Sequence, residues 1–369
     1  MKTRLTEMFQ IDAPLFAFSH CRDVVAAVSK AGGFGVLGAA WMTPEHLEQE
    51  LKWIDEHVEG KPYGVDMVFS STALEVPAAD SPRDLLPADN VAFINDLMTA
   101  DGVPALPDDE VKGWYKDYVS NLSFSPEVSE GLLDVALRHP IKLVVSALGV
   151  APDNIIKRVH DAGIKFGALV GSANQAKKQV EAGVDVIVAQ GSEAGGHTGQ
   201  VASMVLWPEI VDAVSPTPVL AAGGIGRGRQ MVAAMALGAE GVWCGTIWLG
   251  TVESELNNDM REVFYQADAK DAVITLGYTG KPCRAIRSKF TEAWESKDAP
   301  KPLKVPFQSI LSGEPFRRAE RAHRKDWMTY AAGQIVGQIT GPTTVKQVVY
   351  DMLTEYFETS ERMSAILDE

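Results

Sequence analysis

The 369-residue sequence predicts a (β/α)8 barrel with a long insertion after the third strand and a C-terminal helical extension after the eighth. Three observations carry that reading. Short apolar runs recur eight times, each followed by a turn, often glycine-bearing, and most of these turns lead into a helical pattern. Similar turns lead from helix into strand in AGGFGVLG, AGIKFGAL, AGVDVIVA and GAEGVWCG, with glycine where a helix C-terminus favours it. The length suits one barrel with additions, and eight βα units is the number that closes such a barrel. An open doubly wound sheet shares the alternation and stays as the rival.

The first strand is expected over residues 13–18 (APLFAF), before a helix whose Val24, Val25 and Val28 lie on one buried face. The second covers 34–37, and Thr43 caps the helix that follows over 44–56. The third covers 63–69 (YGVDMVF), the fourth 141–146 with a helix near 153–162, and the fifth 164–170. The sixth is the apolar run 184–190, the seventh 217–222 and the eighth 241–246. The barrel is therefore assigned to 1–69 and 141–289. Residues 70–140 are too long for a βα loop and form a mostly helical lid or oligomer contact. Residues 290–369 form the extension, ending in an amphipathic helix (TTVKQVVYDMLTEYF) that could pack on the barrel or on a second copy in a homodimer.

Composition bounds the function. A hydrophobic content of 46% supports a sizeable core, and a net charge of −15 argues against a nucleic-acid partner. Cys21, Cys244 and Cys283 are far apart with no CxxC pair, which fits a reducing cytoplasm and neither a disulfide framework nor a zinc site. The start MKTRLTEMF has no signal-peptide core, and no apolar run nears the roughly 20 residues that span a bilayer. A soluble cytoplasmic protein acting on small molecules is expected.

The chemistry is expected at the C-terminal ends of the strands. Gly223, Gly224 and Gly226 follow strand seven, while Cys244, Gly245 and Thr246 end strand eight. In a barrel these turns are neighbours and form a phosphate cradle, because glycine lets backbone N–H groups approach an anion. A dinucleotide fingerprint in GGIGRG is the weaker alternative, since no acidic residue ends a following strand. Arg227 and Arg229 are either near the phosphate or solvated. His197, in the turn GSEAGGHTG beyond strand six, can act as base, acid or donor, or can merely pin the loop. Gln190 ends the same strand, Glu193 has no assigned role, and Asp66 interrupts an apolar strand and needs a partner. Ser19 and His20 share the mouth, and Cys244 reads as a small packing residue. The aromatic-rich GYTGKPCRAIRSKF lines the pocket or caps the barrel.

With these turns assembled, the chain resembles the nitronate monooxygenase family, formerly the 2-nitropropane dioxygenases. The likeness rests on VSKAGGFGVLGA, on GVDVIVAQGSEAGGHTG and on PVLAAGGIGRGRQMVAAMALGAEGVWCGT, with the late YTGKPCRAIRSKF as well. It implies a TIM barrel holding FMN non-covalently, without metal. Ala17, Phe18 and Ser19 would run beneath the flavin ring, and Asp66, Gln190 and Gly195 would contact it. Gly223, Gly224, Gly245 and Thr246, with Trp243 and Cys244 beside them, would complete the cofactor site. His197 would be the active-site histidine. The implied reaction is oxidation of alkyl nitronates by O2 to carbonyl compounds and nitrite. The alternative is an NAD(P)H-dependent flavin reductase acting on quinones or enoyl thioesters, and a flavin-free barrel enzyme is a third. Two features depart from the family: Asp66 stands where many members carry Asn, and the 70–140 insertion is longer than in the simplest members.

Overall fold

A computed structural model describes residues 1–69, 84–121 and 126–367. The proline-rich start of the insertion lies outside them. Eight parallel strands close into a barrel: β1 (Leu15–Ser19), β2 (Phe34–Gly38), β3 (Tyr63–Met67), β4 (Leu143–Ser146), β5 (Lys165–Val170), β6 (Val186–Gln190), β7 (Val219–Ala222) and β8 (Gly241–Cys244). Pairing of Phe16 with Trp243 and Ala17 with Cys244 joins β1 to β8, so the closed barrel displaces the open-sheet alternative. The strands sit where the apolar runs predict them, with shifted ends. Pro14 lacks an N–H and cannot start β1, although its carbonyl accepts from Val242 N at 2.9 Å.

Strand alternation divides the core in two. Phe16, Phe34, Val36, Leu143, Val145, Val186, Val188, Leu220 and Trp243 fill the barrel. Ala17, Leu37, Val65, Val144, Ile187, Ala221 and Cys244 instead face the helices. The N-terminal helix Arg4–Phe9, capped by Thr3, closes the bottom with Leu5 and Phe9. Phe9 meets Phe16 edge-on at 5.5 Å between ring centroids.

The C-terminal helix Val345–Leu367 packs on the barrel, burying Val345, Val348, Val349 and Met352 with the barrel's helical layer. Its close approach to helix Gly228–Ala236 requires Gly228, where any Cβ would run into the backbone of Met352 and Tyr356.

A second core joins the insertion to the region after β8. Ile94, Met98, Val103, Trp114 and Tyr115 pack with Phe264, Phe290, Ile310, Trp327 and Val336. This region contains a hairpin that the sequence pattern did not signal, β9 (Ala272–Thr275) antiparallel to β10 (Cys283–Ile286). Arg318, 1% exposed, pins the end of insertion helix Ala88–Ala100. It donates to Asn95 Oδ1 (2.7 Å), Thr99 Oγ1 (3.1 Å), Val103 O (2.6 Å) and Pro104 O (3.0 Å). Arg318→Leu removes the donor from four acceptors at once, so a loss of about 3 kcal/mol or more is expected in chemical denaturation. Proteolytic cleavage within 84–121 should rise alongside, and unchanged stability would contradict the pinning role.

Candidate active site

The turn after β6 is built around backbone needs rather than around its histidine. Glu193, unassigned from sequence, accepts from Ser203 N at 3.0 Å and from Ser203 Oγ at 2.9 Å. It thereby places a carboxylate at the N-terminus of helix Ser203–Val214, where the helix dipole favours negative charge. The single hydroxyl proton of Ser203 is shared with Gly223 O at 3.0 Å, which ties the β6 turn to the β7 turn. Glu193→Ala should cost about 1–2 kcal/mol through loss of this cap, read as a lowered unfolding midpoint.

Arg284 of β10 stitches the same turn from above. Its side chain donates to Ser192 O at 2.8 Å and to Ala272 O at 2.6 Å. Its backbone exchanges both hydrogen bonds with Gly196. The segment GYTGKPCRAI therefore caps the barrel at this turn, one of the two outcomes expected from its composition. Tyr278 within it is half-buried, and desolvation of its hydroxyl, with Tyr330, Cys283 and Tyr118 of the insertion nearby, pushes that group well above the usual range.

His197 is exposed on this stitched turn. Its Nδ1 lies 3.0 Å from Pro282 O, and a carbonyl only accepts, so Nδ1 carries the proton. The neutral ring then presents a lone pair at Nε2. His20 is fixed likewise, with Nδ1 donating to Gly38 O at 2.9 Å.

The two glycine turns lie side by side because Ala222 pairs with Trp243. Gly223 (φ 102°) and Gly224 (φ 74°) are left-handed, a region that L side chains rarely enter. Gln230 holds the turn by accepting from Gly226 N (2.9 Å) and Arg227 N (3.0 Å) and donating to Gly224 O (2.6 Å). The N–H groups of Gly223, Gly224 and Gly245 have no acceptor among the described residues. Gly223 and Gly224 stand just ahead of helix Gly228–Ala236 in the chain, and Gly245 is the N-cap of the 3-10 turn Thr246–Gly250, an arrangement that suits an anion. Arg227 and Arg229 take no part in it. Both reach across to Glu355 of the C-terminal helix, with Arg227 Nη2 at 2.7 Å and Arg229 Nε at 2.5 Å.

Other expected residues divide by where they point. Phe18 and Trp243 face inward, their ring centroids 6.2 Å apart and their planes inclined by 27°. Gln190, partly buried, has no side-chain partner among the described residues. Ala17 and Cys244 turn their side chains to the helices, so only their backbone can reach the mouth. Burial pushes the Cys244 thiol up to about 12, in keeping with a packing role. Ser19 Oγ accepts from Cys21 N at 3.0 Å. A Cβ on Gly195 would stand 2.7 Å from the Ala332 carbonyl carbon, so this glycine admits another part of the chain.

That part is a component with no catalytic motif to announce it. Gly333 N donates to Thr246 Oγ1 at 2.8 Å, and Gln334 N donates to Glu193 O at 2.9 Å. The run AAGQIVGQITG thus threads between the β6 and β8 turns, and Ile335 covers Gly226. Gln334 lines a cavity of about 370 Å³ with Glu193, Ser203, Gly223 and Gly224. The signal that was available is the pairing of small residues with two glutamines in an otherwise helical region.

Among the described residues, no helix is long and apolar enough to cross a membrane. The profile of the nitronate monooxygenase family matches residues 2–355. The chain is 45% identical to the candidate monooxygenase Rv1533 of Mycobacterium tuberculosis, over the full length of both. Among solved structures it is similar to FabK from Thermotoga maritima, with a TM-score of 0.74 and 27% identity over 99% of each chain. It shares its fold with the nitroalkane oxidase of Streptomyces ansochromogenes, with a TM-score of 0.76 and 24% identity over 97% of this chain and 99% of that one. On that match and that geometry, the chain is an oxidoreductase belonging to the nitronate monooxygenase family.

Proposed function

We propose that the chain binds FMN across the C-terminal mouth of the barrel and oxidises alkyl nitronates with O2 to carbonyl compounds and nitrite. The residues fit the cofactor. The unpaired amides of Gly223, Gly224 and Gly245 suit its phosphate. The inward Phe18 and Trp243 provide an apolar floor for a flat ring, edged by the polar ends of Gln190 and Asp66. When bound, FMN supplies the electron exchange with substrate and with O2.

The observation that carries the reading is the free Nε2 of His197, held outward by the Nδ1 bond to Pro282 O. In the neutral ring this atom accepts a proton from a nitroalkane carbon. Once protonated, it donates to a nitronate oxygen and pairs with its charge. The Arg284 stitch and the Glu193 cap keep the loop from swinging, so the ring is positioned before substrate arrives. Gln190, one turn of chain away, offers an amide to either the ring or the substrate.

The similarity to FabK favours a second reading, an NAD(P)H-dependent FMN reductase of quinones or enoyl thioesters. Both readings use the same cradle and differ in what reduces the flavin. Anaerobic reduction by a nitronate, compared with NADH and NADPH, separates them.

A further inference from the structure

Strand β3 is buried on both faces, yet its last inward position is Asp66. Tyr63, Val65 and Met67 face the helices, so Gly64 and Asp66 face the barrel interior. The neighbouring strands present Phe34, Val36 and Gly38 from β2, and Leu143 and Val145 from β4. Asp66 is 2% exposed, and its Oδ2 has no hydrogen-bond partner among the described residues. Among the described residues, a titratable group close to this rim is His20, whose Nδ1 is committed to the carbonyl of Gly38, the residue paired with Asp66. No charged side chain contacts the carboxyl among the described residues, and burial alone pushes it well above the usual carboxylate range.

Resting on the FMN reading above, we propose that Asp66 is carried as the neutral acid and donates its O–H to an acceptor on the flavin ring, linking cofactor retention to one proton. A protonated carboxyl presents one donor and one acceptor on a planar frame, as a carboxamide does, whereas a carboxylate only accepts. An aspartic acid here serves as an asparagine would until its proton leaves. Deprotonation then removes the donor and leaves an uncompensated charge among apolar side chains. The folded-state pKa is raised, so the contribution of Asp66 is complete below its ordinary value of 3.8 and is lost as pH rises through the folded value. FMN affinity follows the same direction, falling about tenfold per pH unit above that point for a single linked proton.

The test is reconstitution of apo-protein with FMN across neutral to alkaline pH, with Kd read by flavin fluorescence, for wild type and Asp66→Asn. Ionisation of FMN itself is common to both and cancels in the comparison. Wild type should lose affinity as pH rises, while Asp66→Asn should hold the wild-type low-pH Kd throughout. An infrared difference between apo wild type and apo Asp66→Asn should show the carbonyl stretch of a protonated carboxyl at neutral pH. Equal pH profiles in the two proteins, or absence of that band, would overturn the proposal while leaving the FMN reading intact. Failure of both proteins to bind FMN at any pH would overturn the FMN reading and the proposal together.

Discussion

A Gly224→Val variant is expected to purify without FMN and to bind added FMN at least 100-fold more weakly than wild type. Two effects act together. Gly224 has φ 74°, and a β-branched residue in that left-handed region is strained by about 1–2 kcal/mol, which turns the peptide and its N–H away from the cradle. The new side chain would also start 3.3 Å from Glu193 Cβ, on the side where the cradle opens to the 370 Å³ cavity. Losing one charge-assisted hydrogen bond to phosphate adds about 1.5–3 kcal/mol, and each 1.4 kcal/mol is tenfold in Kd. Flavin absorbance per mole of protein measures the occupancy. Thermal unfolding of the apo form is the control, because a loss confined to the strain term separates a damaged cradle from a damaged barrel. Gly224→Ala should fall between the two. Full occupancy in the valine variant would mean that the β7 turn does not hold the phosphate.

His197→Ala is expected to lower kcat by about 10²–10⁴ while FMN occupancy stays at the wild-type level. The ring is exposed and its one fixed bond is to Pro282 O, so removal leaves a carbonyl that water can satisfy. The fold should therefore not move. His197→Asn is informative because its amide can donate to Pro282 O but cannot hold a proton at the Nε2 position. It should preserve the loop and still lose the rate. Turnover by the alanine variant at the wild-type rate, with flavin bound, would reduce His197 to a loop anchor.

The barrel was legible because all eight strands are buried runs ending in turns, and each is short enough that only its ends were uncertain. The glycine turns after β7 and β8 were legible for the same reason, since backbone demands leave glycine at fixed offsets. What could not be read depends on distant partners. Glu193 finds its role only through Ser203, and Arg227 and Arg229 find theirs through Glu355, more than a hundred residues away. The hairpin β9–β10 escaped because its strands are only four residues long, β10 is buried throughout and β9 does not alternate, yet it supplies the Pro282 carbonyl that orients His197. Ala332–Gly333–Gln334 carries no motif chemistry, and its place between two turns is a matter of steric fit against Gly195. Cys244 and Ala17 illustrate the opposite case, where matching a motif position says nothing of which way the side chain points.

Fold and cofactor cradle are common to enzymes that differ in what they oxidise, so the central claim turns on the electron donor. The most direct measurement is anaerobic mixing of the FMN-loaded protein with an alkyl nitronate, with NADH and with NADPH in parallel, followed by flavin absorbance. Rapid bleaching by the nitronate, with NADH and NADPH slow by comparison, is the predicted result. Flavin untouched by nitronate but reduced fast by either nicotinamide would contradict it and assign the chain to the reductases.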